Sequence, residues 1–243
     1  MKKIILNLVV TFLIVISCSH FSRNPIKASI IKDISGKNIS NSITPDNADS
    51  ILTRYSIEFT IPNPLYGDDR GIGQFDPNHA STINCRAILL DDFSSEADII
   101  VQSKTDSLDE NGIEEFRSEY YEKYVRDGMF RIEIEMESGF SYKSIDSKLW
   151  AMYLENTDGV MIEPFEIETT IVNANEDSVF SKYYQRNFAR KLLKGEISLY
   201  FKKQTFFGED LLGGDNPYIV LVISRNKKTV ARVAWQVAKE NKP

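Results

Sequence analysis

Apolar and polar side chains alternate along several stretches of the C-terminal half, which is the pattern of half-buried β-strands. The clearest stretch runs from Phe130 to Glu137, where every second residue is apolar and the residues between them are Arg or Glu. The same alternation recurs over 197–202 and 233–237, and residues 218–223 are apolar throughout. We therefore predict antiparallel β-structure for this half.

A turn signal, Asn-Thr-Asp-Gly at 156–159, separates two segments of this kind. Asp-Gly provides the positive-φ positions that tight hairpins require, so we predict a hairpin between residues 149–155 and 160–168. Pro164 cannot donate to a β-ladder, and the phase of the apolar residues shifts around it. This proline therefore predicts an edge or a bulge.

Two stretches have the period of three to four residues that indicates an amphipathic helix. The first covers 113–124, with Gly128 suited to end it. The second covers 178–194 and is closed by Gly195. Its apolar stripe consists of Phe180, Tyr184, Phe188 and Leu192. Together the elements predict a mainly β fold, an antiparallel β-sandwich with two helical insertions, for which an immunoglobulin-like arrangement is one option.

The first seventeen residues have the organisation of a signal peptide. Two lysines precede an apolar run from Ile4 to Ile16. A helix of this length spans about 20 Å, which is too short for a hydrocarbon core of roughly 30 Å. We therefore predict that residues 1–17 are removed from the mature protein.

The residues at the end of this run, Val15-Ile16-Ser17-Cys18, resemble the lipobox of bacterial lipoproteins. In that family a diacylglyceryl group is attached to the cysteine thiol, the peptide before the cysteine is removed, and the new amino terminus is usually acylated, with fatty acids such as palmitate. The resemblance implies that Cys18 begins the mature chain and anchors it in the membrane of the cell envelope, because two or three acyl chains hold a protein almost permanently. In some bacteria of that family, Asp after the cysteine is the signal for retention in the inner membrane, so the resemblance, with Ser19 at this position, implies the outer membrane. The alternative is a plain secretory signal beside an unrelated cysteine.

The mature chain is predicted to have two parts. Residues 18–47 comprise the lipidated cysteine and a segment rich in Ser, Asn, Lys and Ile, which indicates a flexible tether. The alternative is an edge strand formed by the isoleucines of this segment, which are Ile26, Ile30, Ile31 and Ile34. Residues 48–243 fit one globular β-rich domain.

Composition excludes several classes of function. The net charge is −6 and becomes −8 after removal of Lys2 and Lys3 with the signal peptide, which argues against nucleic-acid binding. The predicted domain contains one histidine and one cysteine, so zinc clusters and disulfide frameworks are excluded, and no metal or cofactor is predicted. Cys85 lies in an apolar segment and is predicted to be a structural thiol.

One loop contains residues that could support catalysis. Asp68, Asp69 and Asp76 lie near His79, and a carboxylate can orient an imidazole for proton transfer. A turn-rich loop between Pro62 and Pro77 explains the same residues without chemistry. A lipid-anchored envelope hydrolase is therefore the alternative function, and the presence of any enzyme activity stays open.

The second predicted helix carries basic residues at a spacing of four, namely Lys182, Arg186, Arg190 and Lys194. On a helix they form a basic strip that could contact anionic lipid, an acidic envelope polymer or an envelope protein. The alternative is an ordinary solvated face. The function predicted from sequence is thus a lipid-anchored envelope protein with a non-catalytic binding or structural role.

Overall fold

The computed structural model describes residues 28–35, 42–63, 82–125, 128–138, 145–173, 193–204, 208, 210–213 and 216–237. The predicted signal peptide, Cys18 and the remaining parts of the predicted tether lie outside these ranges. The strands of the described residues are β1 Ile30–Asp33, β2 Ser56–Pro62, β3 Thr82–Leu90, β4 Met129–Ser138, β5 Ala151–Glu155, β6 Met161–Ile162, β7 Glu166–Asn173, β8 Leu193–Lys202, β9 Tyr218–Arg225 and β10 Lys228–Gln236.

The strands form two five-stranded sheets. The first has the order β1-β10-β9-β5-β6 and the second has the order β2-β3-β4-β8-β7. Neighbouring strands are antiparallel, except that β1 and β10 are parallel. Buried side chains from both sheets form one hydrophobic core, so the arrangement is sandwich-like, and the prediction of a mainly β fold is confirmed. We call the face of each sheet that points into this core its inner face.

The alternating segments form strands as predicted. In β4, Phe130, Ile132, Ile134 and Met136 are at most 1 % exposed, and the residues between them lie on the outer face. In β10 the side chain of Trp235 is fully buried, and its indole nitrogen donates a 2.8 Å hydrogen bond to the carbonyl oxygen of Tyr55. Burial of one face of a strand requires that every second residue is apolar, so these strands can be recognised in the sequence.

The predicted hairpin is also present. The side-chain oxygen of Asn156 accepts hydrogen bonds from the backbone amides of Asp158 and Val160, and Gly159 has a φ of +79°. The phase shift around Pro164 is not a bulge within one strand. The chain changes sheets there, because β6 belongs to the first sheet and β7 to the second. Both strands are edges, so Pro164 marks the crossing between the sheets.

The described residues contain three α-helices, which are α1 Ala48–Tyr55, α2 Asp92–Thr105 and α3 Glu110–Tyr120. A π-helical turn, Tyr121–Val125, continues α3 and completes the first predicted helix. The prediction of two helical insertions is wrong, because it omitted α1 and α2. In α2 the buried residues include Ser94, Ser95 and Ser103, so its sequence lacks a clear apolar stripe.

The C-terminal end of the second predicted helix, which covers 178–194, overlaps a strand. Residues 178–192 lie outside the described residues, but Leu193 and Lys194 begin β8. Gly195 lies inside this strand beside Ile145, so it does not close a helix. At the N-terminal side, Ile30–Asp33 pair with β10, so this part of the segment predicted as a tether forms an edge strand. In the described part of the chain, no helix has the length and apolar content needed to cross a bilayer.

Candidate binding site

A groove of about 430 Å³ lies on the outer face of the second sheet, between the π-helical turn and the edge strand β7. Four of the side chains around it are glutamates, and one is a lysine. The groove is lined by Glu119, Glu122, Lys123, Met129, Phe165, Glu166, Glu168 and Tyr200. Its wall is therefore acidic, with aromatic and thioether surface between the charges.

Strand pairing sets the floor of the groove. Glu166 is the direct partner of Tyr200 in the pairing of β7 with β8. The phenol of Tyr200 donates a 2.7 Å hydrogen bond to Oε2 of Glu168, and the ring of half-exposed Phe165 is centred 6.3 Å from that of Tyr200. Burial and the hydrogen bond to Glu168 raise the pKa of Tyr200, so the phenol stays neutral. The negative charge of the groove thus comes from its glutamates.

The π-helical turn forms the opposite wall. Lys123 donates a 2.8 Å hydrogen bond to the hydroxyl of Tyr124 and lies 3.9 Å from Oε2 of Glu168. Within the described residues, Glu119, Glu122 and Glu166 have no ion-pair partner. Among the described lining residues, four glutamates thus face a single lysine, so this part of the groove is acidic. π-Helical turns often occur at functional sites.

A buried cluster supports this wall from below. Arg131 is only 4 % exposed, and its Nη2 donates hydrogen bonds to Asp98 Oδ2 at 3.0 Å and to the Tyr120 hydroxyl at 2.8 Å. The same nitrogen lies 3.3 Å from Oε2 of Glu133. Burial alone would lower the pKa of Arg131, but the neighbouring Tyr120, Glu133 and Asp98 raise it, so the guanidinium remains protonated.

Aromatic rings connect the cluster with the groove. The guanidinium carbon of Arg131 lies 4.2 Å from the ring centre of Tyr124, within the range of a cation–π interaction. The ring of Tyr124 is stacked on Tyr200, with centres 6.1 Å apart and planes 9° from parallel. Tyr124 and Tyr200 therefore connect the Arg131 cluster with the floor of the groove.

Most of the site residues predicted from sequence are not available for comparison. Cys18, the loop residues Asp68, Asp69, Asp76 and His79, and the basic residues Lys182, Arg186 and Arg190 lie outside the described residues. Lys194 is described, and its Nζ lies 3.2 Å from Glu135 and 3.6 Å from Glu196. Its placement in a helical basic strip is wrong, because residue 194 belongs to a strand in which the period of four does not apply.

Sequence reasoning assigned other roles to the groove residues. On a helix, Glu119 and Lys123 have the i,i+4 spacing of an intrahelical pair, but Lys123 lies 3.9 Å from Glu168 on a strand instead. A signal was present around Pro164, where exposed Phe165 is followed by glutamates at 166 and 168. That signal predicts an acidic edge strand, but it does not predict that a helix packs beside the strand and completes the groove.

Cys85 packs in the core at 4 % exposure, and burial raises the pKa of its thiol to about 12, as expected of a structural cysteine. In the described residues, no group of three or more His, Cys, Asp and Glu side chains could hold a metal ion. Comparison with protein-family models, with curated proteins and with solved structures finds no match for this chain. Function must therefore be inferred from the groove and from the N-terminal sequence.

Proposed function

We propose that this chain is a lipid-anchored protein of the bacterial cell envelope that binds a basic segment of another envelope protein. Its role is binding and not catalysis, and Cys18 is its lipid anchor, in the outer membrane. The observation that carries the binding role is the acidic groove, in which Glu119, Glu122 and Glu166 surround a floor that includes Tyr200.

The charge and the aromatic surface both favour a cationic ligand. Lysine and arginine side chains form charge-assisted hydrogen bonds with carboxylates and cation–π contacts with aromatic rings. Half-exposed Phe165 offers such a ring, whereas Tyr200 is buried. The net charge of −8 predicted for the mature chain adds long-range attraction for a basic partner. Such complementarity mainly supports specificity and the rate of association.

The acidic groove favours one of the partners considered from sequence. Anionic lipid and an acidic polymer both require a basic surface; of the predicted strip, Lys194 is paired with Glu135 and Glu196, and the other three residues lie outside the described residues. An envelope protein with a basic segment fits the groove better. The hydrolase based on Asp68, Asp69, Asp76 and His79 stays a prediction, as does an immunoglobulin-like order of the strands.

A direct test measures binding of a fluorescein-labelled trilysine peptide by anisotropy. The full-length protein is purified from membranes in a non-ionic detergent. We expect saturable binding that weakens as salt is raised, because exposed charges are screened over about 8 Å at physiological ionic strength. A Glu122→Gln/Glu166→Gln double variant should bind at least tenfold more weakly.

The matched control is Glu115→Gln/Glu137→Gln, which removes the same charge from exposed positions outside the groove. It should bind trilysine nearly as well as the wild type. Equal weakening by both double variants would show attraction to net charge alone. That result, or no binding by the wild type, would contradict a specific site.

A further inference from the structure

The strand β7 is an edge with few features that discourage pairing. It pairs with β8 along eight residues, and no described strand pairs with its other side. Proline, lysine and β-bulges commonly protect an edge strand from pairing. The strand β7 contains no proline and no lysine, and its pairing with β8 has no register shift. By contrast, β1 and β6 have four and two residues, and β2 ends in Pro62. An edge of this kind offers a row of backbone donors and acceptors to another strand.

The two faces of β7 have different chemistry. On the outer face, Glu166 and Glu168 line the groove. On the inner face, Ile167 and Ile171 are 48 % and 45 % exposed, although Leu199, the partner of Ile167 in β8, is fully buried. From Glu166 to Ile171 the edge therefore presents two glutamates on its outer face and two isoleucines on its inner face.

We propose that β7 binds an extended segment of the partner protein as an additional strand of the second sheet. The segment alternates basic and β-branched apolar residues. Its basic side chains lie beside Glu166 and Glu168, and its apolar side chains cover Ile167 and Ile171. Backbone hydrogen bonds supply affinity in this mode, and alternate side chains supply specificity. The inference rests on the proposed function and names the way in which the basic partner binds.

The charges of β7 argue for a basic partner over a second copy of the chain. Its eight residues include two glutamates and neither Lys nor Arg. Pairing β7 with another β7 would bring four glutamates to a face that is already acidic, and like charges across strands are destabilising. A strand with basic residues at these positions gives opposite charges instead.

The test uses an eight-residue labelled peptide in which Lys and Val alternate, with the full-length protein in non-ionic detergent. A block peptide of four Lys followed by four Val has the same composition and charge. We expect the alternating peptide to bind at least tenfold more tightly. The variant Ile167→Gln/Ile171→Gln should remove this advantage while trilysine binding stays unchanged, and its melting temperature serves as the check on folding.

Two further peptides are N-methylated at the lysine amides or at the valine amides. Only one edge of the added strand can pair with β7, so one of these peptides should lose binding and the other should keep it. Full binding of both methylated peptides, or equal binding of the block and alternating peptides, would overturn strand addition. If trilysine still binds in that case, the proposed function stands. Loss of trilysine binding itself would overturn the proposed function.

Sedimentation of the wild type and the double isoleucine variant separates these outcomes from self-association. A dimer that disappears in the variant would show that a second copy occupies β7, and would overturn the proposal. A monomeric wild type that binds the alternating peptide is the expected result.

Discussion

Arg131 of β4 donates a 3.0 Å hydrogen bond to Asp98 of α2, and this contact joins the second sheet to a helix on its outer face. The side chains of Arg131 and Asp98 are only 5 % and 14 % exposed. A buried charge requires a partner, because removal from water without compensation is unfavourable by several kcal/mol. The pair therefore constrains how α2 and the π-helical turn sit beside the groove.

Replacing Arg131 with Ala should lower the free energy of unfolding by about 3–5 kcal/mol, because Asp98 and Glu133 would lose their shared cation. Urea unfolding measures the change. The control is Arg86→Ala on the same outer face, where the 4.0 Å contact with Glu135 is more exposed and a loss of about 0–1 kcal/mol is expected. Equal losses would show that the Arg131 cluster contributes no more than a surface pair.

Glu133 should make stability depend on pH. Burial, opposed by Arg131, raises the pKa of this carboxyl from 4.5 to about 7. Between these values the folded state holds a proton that the unfolded state has released, so the contribution of Glu133 to stability falls as pH rises from about 4.5 to 7. The stability of wild type relative to Glu133→Gln should decrease over this range, by up to about 3 kcal/mol. A difference that is constant with pH would contradict the shifted pKa.

Gly195 packs closely against the side chain of Ile145, so a larger residue at this position should be destabilising. A Cβ at this position would lie 2.8 Å from Cδ1 of Ile145, which is fully buried. Gly195→Ala should therefore destabilise the domain by about 1–3 kcal/mol through overpacking. Ile145→Val removes the nearest atom, so the double variant should be less destabilised than the sum of the single changes. Additive effects in urea unfolding would place the two residues out of contact.

The lipidation predicted from residues 15–18 can be tested by labelling cells with a palmitate analogue. The wild type should incorporate the label and partition into the detergent phase, whereas Cys18→Ala should do neither. Cys85→Ser is the matched control, since it removes the buried core cysteine and should leave labelling unchanged. Label retained by Cys18→Ala would exclude Cys18 as the anchor.

Local pattern alone determined several elements of this protein. The strand β4 is visible because burial of one face imposes a period of two, and α3 is visible because Phe116 and Tyr120 face a common apolar cluster. The hairpin at Asn156 is equally local, since the side chain of that residue caps its own turn. In each case the residues that form the element are close in the sequence.

Tertiary structure decided the rest. The helix α2 buries serines, which in a sequence are typical of loops. The alternation along β4 predicts that Arg131 is exposed, but it is buried because helices cover this part of the outer face. The groove combines Glu122 from a π-helical turn with Phe165 and Tyr200 from distant strands. Neither a helical nor a strand period relates these residues. Pairing between β7 and β8 and the packing of α3 bring them together, and those contacts depend on the whole core.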